Sequence, residues 1–445
     1  MENNKGKSGV RFFILLWGLG IIGQLCWNVE NQWFNTFVYA KIAKDPTIIS
    51  WMVAISSIAT TISTFVSGTL SDRMGKRKPF IGLGYILWGI FTIMFGMTQY
   101  ITENSSNTGN VIIVAGTAVV LADAVMSFFG STGNDAGYNA WTNDLMTEEN
   151  KGHIGASLAV QPVLGTIIGT VLGGMLIGSD DNYMRLFVVM GVAVIILGIL
   201  TLIFMKESEE LRPNKQGSFW QQLLNAFNLN ELIKRKELIW VFLTLMVYFI
   251  SFDVYFPHVG NYMIYYLGFS ADMIGYIEGV ALIFGMLIVI PSSKLINNNK
   301  FPLATVIATL LTFAGVGYIG IVGTPENVDT STILNWNLII GLFLFGCGYI
   351  MFMQVLAVWM KRLFPQDSKG QFEGFRIVFF VLLPWIISPF ISNPIIKNNG
   401  QFLDADGMVS YLPTNTLFAI SAGLILITFI PLYFATKQRK LNNRG

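Results

Sequence analysis

The sequence predicts an all-α membrane protein of twelve transmembrane helices, arranged as two six-helix bundles related by pseudo-two-fold symmetry. Three observations carry this reading. Of the 445 residues, 53% are hydrophobic and only 12% charged, against roughly 25% charged in an ordinary soluble domain. The apolar residues gather into twelve windows, each near the ~20 residues that a spanning helix needs. A polar stretch then divides those windows six and six.

The first six windows run at roughly 12–39, 47–70, 80–100, 111–141, 154–178 and 183–205. The last six run at roughly 238–266, 271–296, 301–322, 334–359, 371–396 and 414–435. The organisation is therefore an N-terminal bundle over 1–205, a central loop over 206–236 and a C-terminal bundle over 237–445. The basic N-terminus (Lys5, Lys7, Arg11) leads directly into a long apolar helix with no small-residue cleavage site, which reads as the first span and not as a signal peptide.

Charge placement orients the chain. With a cytoplasmic N-terminus, only Lys41, Lys44, Arg185 and Lys397 of the 28 Lys and Arg fall outside. Arg376 sits near a helix start, and the other 23 lie on the cytoplasmic side, as the positive-inside bias predicts. The expectation is a multi-pass protein of the cell (plasma or inner) membrane with both termini cytoplasmic. In the central loop, Phe219, Trp220, Leu223, Leu224 and Phe227 repeat at i, i+1, i+4, i+5 and i+8. That pattern fits a short amphipathic helix, lying on the membrane face or packed on the bundle ends.

Composition also excludes function classes. A net charge of +2 and the lack of any basic tract interleaved with aromatics argue against a nucleic-acid partner. The two cysteines, Cys26 and Cys347, fall inside apolar windows and imply no disulfide framework. No Walker A sequence, dinucleotide-binding glycine turn or Cys/His metal cluster occurs, so a pump driven by ATP, a membrane enzyme, a cofactor and a metal site are all unexpected.

The loop after the second window reads Gly68-Thr-Leu-Ser-Asp72-Arg73-Met-Gly75-Lys-Arg-Lys78-Pro79. It resembles the signature of the major facilitator superfamily: a Gly, then Leu-Ser-Asp-Arg, then a Gly and a basic cluster. Asp72 stands at a helix end, where it can pair with a base or with a helix N-terminus in one conformation and release it in another. The end of the fourth window, Asp135-Ala-Gly-Tyr138-Asn139-Ala-Trp141-Thr-Asn143-Asp144 onward to Gly152, is similar to the matching segment of the glycoside–pentoside–hexuronide:cation symporters, the melibiose-permease relatives. Its tail from Asn139 is also similar to plant sucrose transporters. Gly370-Gln-Phe-Glu373-Gly-Phe-Arg376 opens the eleventh window, where those symporters often place an acid and a small residue.

The resemblance implies the major facilitator fold and solute–cation symport, with a sugar or glycoside as the commonest substrate. It places Asp135 at the position of the sugar-binding Asp of melibiose-permease relatives. Two departures bear on the coupling ion and the sugar. Sodium-coupled relatives carry two acids four residues apart in span two, where this chain has Ser56, Thr60 and Thr61. Asn139 stands where the sucrose carriers have an Arg.

An ionisable group at membrane depth costs at least ~2.5 kcal/mol, so it faces a cavity or a partner. Six acids qualify: Glu30, Asp123, Asp135, Asp253, Glu278 and Glu373. In span one, Gln24, Asn28, Asn31 and Asn35 recur at i, i+4, i+7 and i+11, a narrow stripe that must face protein or water, whether as a binding surface or as glue between helices. Glu30 lies off that stripe on a face shared with Trp27 and Phe34, and an acid flanked by aromatics suits sugar recognition. Span four carries two stripes: Asp123, Ser127, Gly130 and Asn134, and beside it Ser131, Asp135, Asn139 and Thr142. Asp253 in span seven sits at a depth close to that of Glu30 in span one, as pseudo-symmetric halves would place it. His258 is ~140° away from it on a straight helix. Glu373 and Arg376 are i, i+3 neighbours expected to neutralise each other.

Substrate binding or cation coupling is therefore expected of Trp27, Asn28, Glu30, Asn31, Asp123, Asp135, Asn139 and Asp253. Gating is expected of Asp72, Arg73, Glu373 and Arg376. The scattered single acids suit a proton better than a sodium cage. The expected activity is symport of a sugar or glycoside with a proton by a monomer in the lipid bilayer. The alternatives are a major facilitator transporter or exporter of another small solute class, and a non-transporting receptor or assembly factor on the same fold.

Overall fold

The computed structural model describes residues 10–103, 109–147, 150–208, 211–225, 229–332, 334–365, 369–404 and 407–442. Lys5, Lys7, Glu148, Glu149 and Phe227, used in the sequence reading, lie outside them.

Twelve helices are long and apolar enough to cross a membrane. They are α1 (Arg11–Ile42), α2 (Pro46–Met74), α3 (Lys78–Glu103), α4 (Gly109–Asp144), α5 (His153–Ile177), α6 (Tyr183–Phe204), α7 (Lys236–Leu267), α8 (Ala271–Asn297), α9 (Phe301–Val322), α10 (Trp336–Leu363), α11 (Phe372–Asn399) and α12 (Asn415–Asn442). Each lies over one of the twelve apolar windows, because a chain in hydrocarbon must satisfy its backbone hydrogen bonds within the segment. Between α6 and α7 a short helix, Phe219–Asn225, exposes Trp220 and Leu224 and keeps Leu223 half-buried, as an amphipathic segment should. Between α11 and α12 a small antiparallel hairpin pairs Gln401–Leu403 with Val409–Tyr411, Phe402 standing opposite Ser410.

The chain forms two compact units. One takes the residues up to Ala43 and Trp51–Leu224; the other takes Lys44–Ser50 and Asn225–Gly445.

Lipid tails are as apolar as Leu, so close backbone approach and interhelical polar contacts hold such helices together. In the first unit α3 meets α6 glycine to glycine: a Cβ on Gly191 would stand 2.6 Å from the carbonyl oxygen of Gly89. In the second unit α9 meets α10 the same way, a Cβ on Gly315 falling 2.6 Å from the Gly341 oxygen. On α5, Gly165, Gly169 and Gly173 face Gln24, Asn28 and Trp33 of α1, and the Trp33 indole donates to the Gly169 carbonyl at 3.2 Å.

Several spans leave α geometry part-way. Glu30–Phe34 and Val38–Ile42 in α1, Thr132–Tyr138 in α4, Tyr262–Leu267 in α7 and Val378–Leu382 in α11 are π-helical. Such segments shift the side chains that follow them around the axis and recur at functional sites. Spans α1 and α7 have equal length and both end in a π segment. Aligned on those ends, Asp253 falls two residues before the place of Glu30 and coincides with Asn28. The two acids therefore occupy similar but not equivalent positions in the repeat, which refines the sequence expectation.

Candidate functional site

The first π segment of α1 begins at Glu30, which is 8% exposed. Oε1 of Glu30 accepts from the Ser127 hydroxyl of α4 at 2.8 Å, while Oε2 is buried without a hydrogen-bond partner. Asp123, one turn before Ser127 on the same face of α4, is an electrostatic neighbour of Glu30. It is 1% exposed, bonds to the Ser56 side chain of α2 and leaves Oδ1 without a partner. Two carboxyl groups from different helices, each one oxygen short of satisfaction, thus share one buried region of the first unit. Asp135, half-buried in the π segment of α4, is a second electrostatic neighbour of Glu30.

The α4 stripe read from the sequence faces α1 and α3. The Trp27 indole donates to Oδ1 of Asn134 at 3.3 Å, and Nδ2 of Asn134 donates to the Tyr85 hydroxyl at 2.8 Å. Tyr85 in turn donates to the Leu19 carbonyl at 2.8 Å. The Trp27 and Trp88 rings lie 4.9 Å apart, and Gly130 is small because a Cβ there would meet the Trp88 indole at 2.7 Å. Phe34, expected beside Glu30, instead stacks on Phe95 of α3, 4.0 Å between ring centres.

Gln24 and Asn28 of the α1 stripe turn towards α5. The Thr170 hydroxyl lies 3.2 Å from Oδ1 of Asn28 and 3.0 Å from Oε1 of Gln32, so the Asn28 amide bridges helices. Asn31 is half-buried, and its carbonyl accepts from the Asn35 amide at 2.7 Å. Asn139 is exposed and donates to the Asp135 carbonyl at 3.0 Å. The second α4 stripe is used against α2: Ser131 pairs with Thr64 at 2.7 Å, and Thr132 pairs with Ser63 at 2.7 Å and Ser67 at 2.9 Å. Hydroxyls thus line the face of α2 that packs on α4.

At the end of α2, the partner of Asp72 is Arg77, four positions beyond Arg73. The Arg77 side chain is 7% exposed and binds Oδ1 of Asp72 at 2.5 Å, Oδ2 of Asp144 at 2.8 Å and Oγ of Ser71 at 2.5 Å. Burial opposes the Arg77 charge, but Asp144 and Asp72 outweigh it and hold the guanidinium protonated beyond its ordinary range. Glu207 accepts from the backbone N–H groups of Arg77 and Lys78 at 3.1 and 2.9 Å, capping the start of α3. Arg73 donates to the Gly217 carbonyl at 2.9 Å. Gly75 has φ +62°, and a Cβ there would lie 2.7 Å from the Pro213 nitrogen. Arg77, Asp144, Glu207, Tyr85 and Trp88 were not singled out from the sequence. Arg77 is one base in a basic run that topology alone explains, and Tyr85 and Trp88 look like packing in an apolar helix. Only Asp144 carried a signal, as an acid of the motif standing at the end of α4.

In the second unit Arg376 binds Glu373 at 2.6 Å, the expected i, i+3 pair. The pair lines a cavity of about 220 Å³ with Lys361, Leu245, Met360 and Phe380. Glu278 is half-buried on α8. At the start of α7, Glu237 accepts from the Trp359 indole at 2.9 Å and the Asn442 amide at 2.8 Å, and pairs with Arg439 at 3.4 Å. Arg362 of α10 bonds to Asn299 in the turn between α8 and α9. Asp253 and His258 are each 2% exposed. Among the described residues no group of three or more His, Cys, Asp and Glu side chains is arranged to hold a metal ion.

Comparison with known proteins fits this architecture. The chain is similar in structure to the nucleoside transporter NupG, with 14% identity and a TM-score of 0.68, covering 95% of this chain and 99% of that one. It is similar to a D-xylose-proton symporter at 13% identity and a TM-score of 0.67, covering 94% and 97%. The xylose transporter XylE from E. coli, in its inward open conformation, matches at 13% identity and a TM-score of 0.66, covering 95% and 96%. At these identities the likeness is one of fold. No match is found among curated proteins. The sequence profile of the Major Facilitator Superfamily matches residues 16–389. Twelve spans and that match, which takes in both units, identify the chain as a multi-pass membrane transporter that belongs to the Major Facilitator Superfamily.

Proposed function

We propose that this transporter carries a sugar or glycoside together with a proton, by alternating access. The observation that carries the reading is the Glu30–Asp123 pair. Coulomb repulsion between two carboxyl groups at membrane depth disfavours the doubly ionised state, so the pair is suited to take up and release a proton. Ser127 and Ser56 hold the two acids in place. In the same unit the half-buried Trp27 ring, backed by the buried Trp88, offers an apolar face of the kind sugar rings pack on.

The resemblance of Asp135 and its surroundings to the glycoside–pentoside–hexuronide symporters supports a sugar. The similar structures support solutes that carry a sugar ring: one is a nucleoside transporter and two are xylose transporters. Hydroxyls in place of acids on α2 favour a proton over sodium, because neutral ligands cannot supply the charge that offsets sodium dehydration. Asp72, Arg73 and Arg77 at one end, with Glu373 and Arg376, are assigned to gating. The charge bias supports cytoplasmic termini and a place in the plasma or inner membrane, and the proposed working unit is a monomer.

The test is uptake of labelled sugars into vesicles containing the purified protein, with an imposed pH gradient and sodium replaced by choline. Accumulation driven by the pH gradient is expected. Accumulation that requires sodium and ignores the gradient would overturn proton coupling. Uptake of no sugar or glycoside alongside transport of another solute would overturn the substrate class.

A further inference from the structure

We infer that Asp253 is a second proton-binding site of the transport cycle, in the second unit, acting alongside the Glu30–Asp123 pair of the first; this rests on the proton-coupled reading above. Asp253 is 2% exposed, and both of its carboxyl oxygens lack a hydrogen-bond partner. No charged group among the described residues acts on it. Its titratable neighbours are Tyr255 on its own helix and Tyr349 on α10. The Tyr349 ring lies 5.1 Å from that of Phe252, and the Tyr255 ring 6.0 Å from that of Phe345. The Tyr255 hydroxyl is itself buried without a partner.

The charges of the helices packed on α7 lie at their ends, far along the axis from Asp253. On α10 they are Lys361 and Arg362; on α11, Glu373, Arg376 and Lys397; on α12, Lys437, Arg439 and Lys440. His258, five residues further along α7, is buried with Nδ1 unpartnered.

An anion so enclosed would be uncompensated, and an acid retained at such a place serves a function more often than packing. The contrast with the first unit sharpens the point. At the equivalent place in α1 stands Asn28, a neutral amide engaged by Thr170. What a carboxyl group adds at equal shape is the capacity to bind a proton. The proton arrives from water on one side, adds to a carboxyl oxygen and leaves to water on the other, so nothing else is consumed.

The experiment measures protons and solute moved together by the full-length protein in vesicles. Asp253→Asn is expected to move one proton fewer per solute and still accumulate solute through the first-unit pair. An unchanged ratio in Asp253→Asn, with wild type moving protons, overturns this inference and leaves proton coupling standing. Wild type that moves no protons overturns both. Should Asp253→Asn fail to fold, Asp253→Glu carries the test. Its ratio should equal that of wild type, and the pH at which the ratio falls off should shift. An unshifted pH would overturn the assignment.

Discussion

Arg77, in the turn after α2, donates from Nε to Oδ2 of Asp144 at 2.8 Å and so ties that turn to the end of α4. The same guanidinium binds Asp72, so one base holds two acids from two helix ends. Arg77→Gln removes the charge and leaves Asp144 half-buried without its partner. The expected loss of stability is about 1–3 kcal/mol, less than for a fully buried pair because Asp72 is 52% exposed and screened. Asp72→Asn should cost under ~1 kcal/mol and slow turnover more than it weakens solute binding. Thermal melting in detergent and exchange assays check both; equal effects of the two substitutions on melting would contradict this ordering.

Glu30→Gln keeps the shape and the Ser127 contact but removes the protonatable group. Solute exchange at zero gradient should persist, while accumulation driven by a pH gradient falls by about tenfold, the scale of a 1.4 kcal/mol coupling energy. Ser127→Ala should keep coupling and move its pH dependence. Wild-type accumulation in Glu30→Gln would remove Glu30 from the coupling site.

Gly89 packs backbone to backbone against Gly191, leaving no room for a methyl group. Gly89→Ala should therefore destabilise the first unit by about 1–3 kcal/mol through overpacking. Gly423, around which a Cβ would meet nothing within 4 Å, is the control. There Ala should be neutral or stabilise by up to ~1 kcal/mol through helix propensity. Melting temperatures of the two variants decide it.

Glu237 is 5% exposed and accepts from the Trp359 indole and the Asn442 amide while pairing with Arg439. Glu237→Leu strands three donors. The expected cost is about 1–3 kcal/mol, with a rise in indole solvent exposure readable by fluorescence quenching of Trp359. An unchanged quenching profile would show that Glu237 does not order this end of α7.

Residues whose role depends on their own helix were legible in advance. The i, i+3 pair of Glu373 and Arg376 forms as spacing requires. The α4 stripe of Asp123, Ser127, Gly130 and Asn134 does present one face, because helical periodicity fixes which side chains line up. The π segments were not legible, since hydrogen-bond shifts of one residue leave no compositional mark. Phe34, which α periodicity places on the face of Glu30, packs on Phe95 and Phe187 instead.

By itself the sequence determined the membrane class, the twelve spans, their division into six and six and the acids that burial makes costly. Each of these follows from the solvent a segment must occupy or from a period along one helix. Only the tertiary structure decided which groups meet. It joined Glu30 to Ser127 and Asp123, gave Asp72 to Arg77, turned Asn28 onto Thr170 and left Asp253 alone among rings. Partners across helices depend on rotation and depth, set where small residues let backbones approach, and no single helix encodes that in its own periodicity.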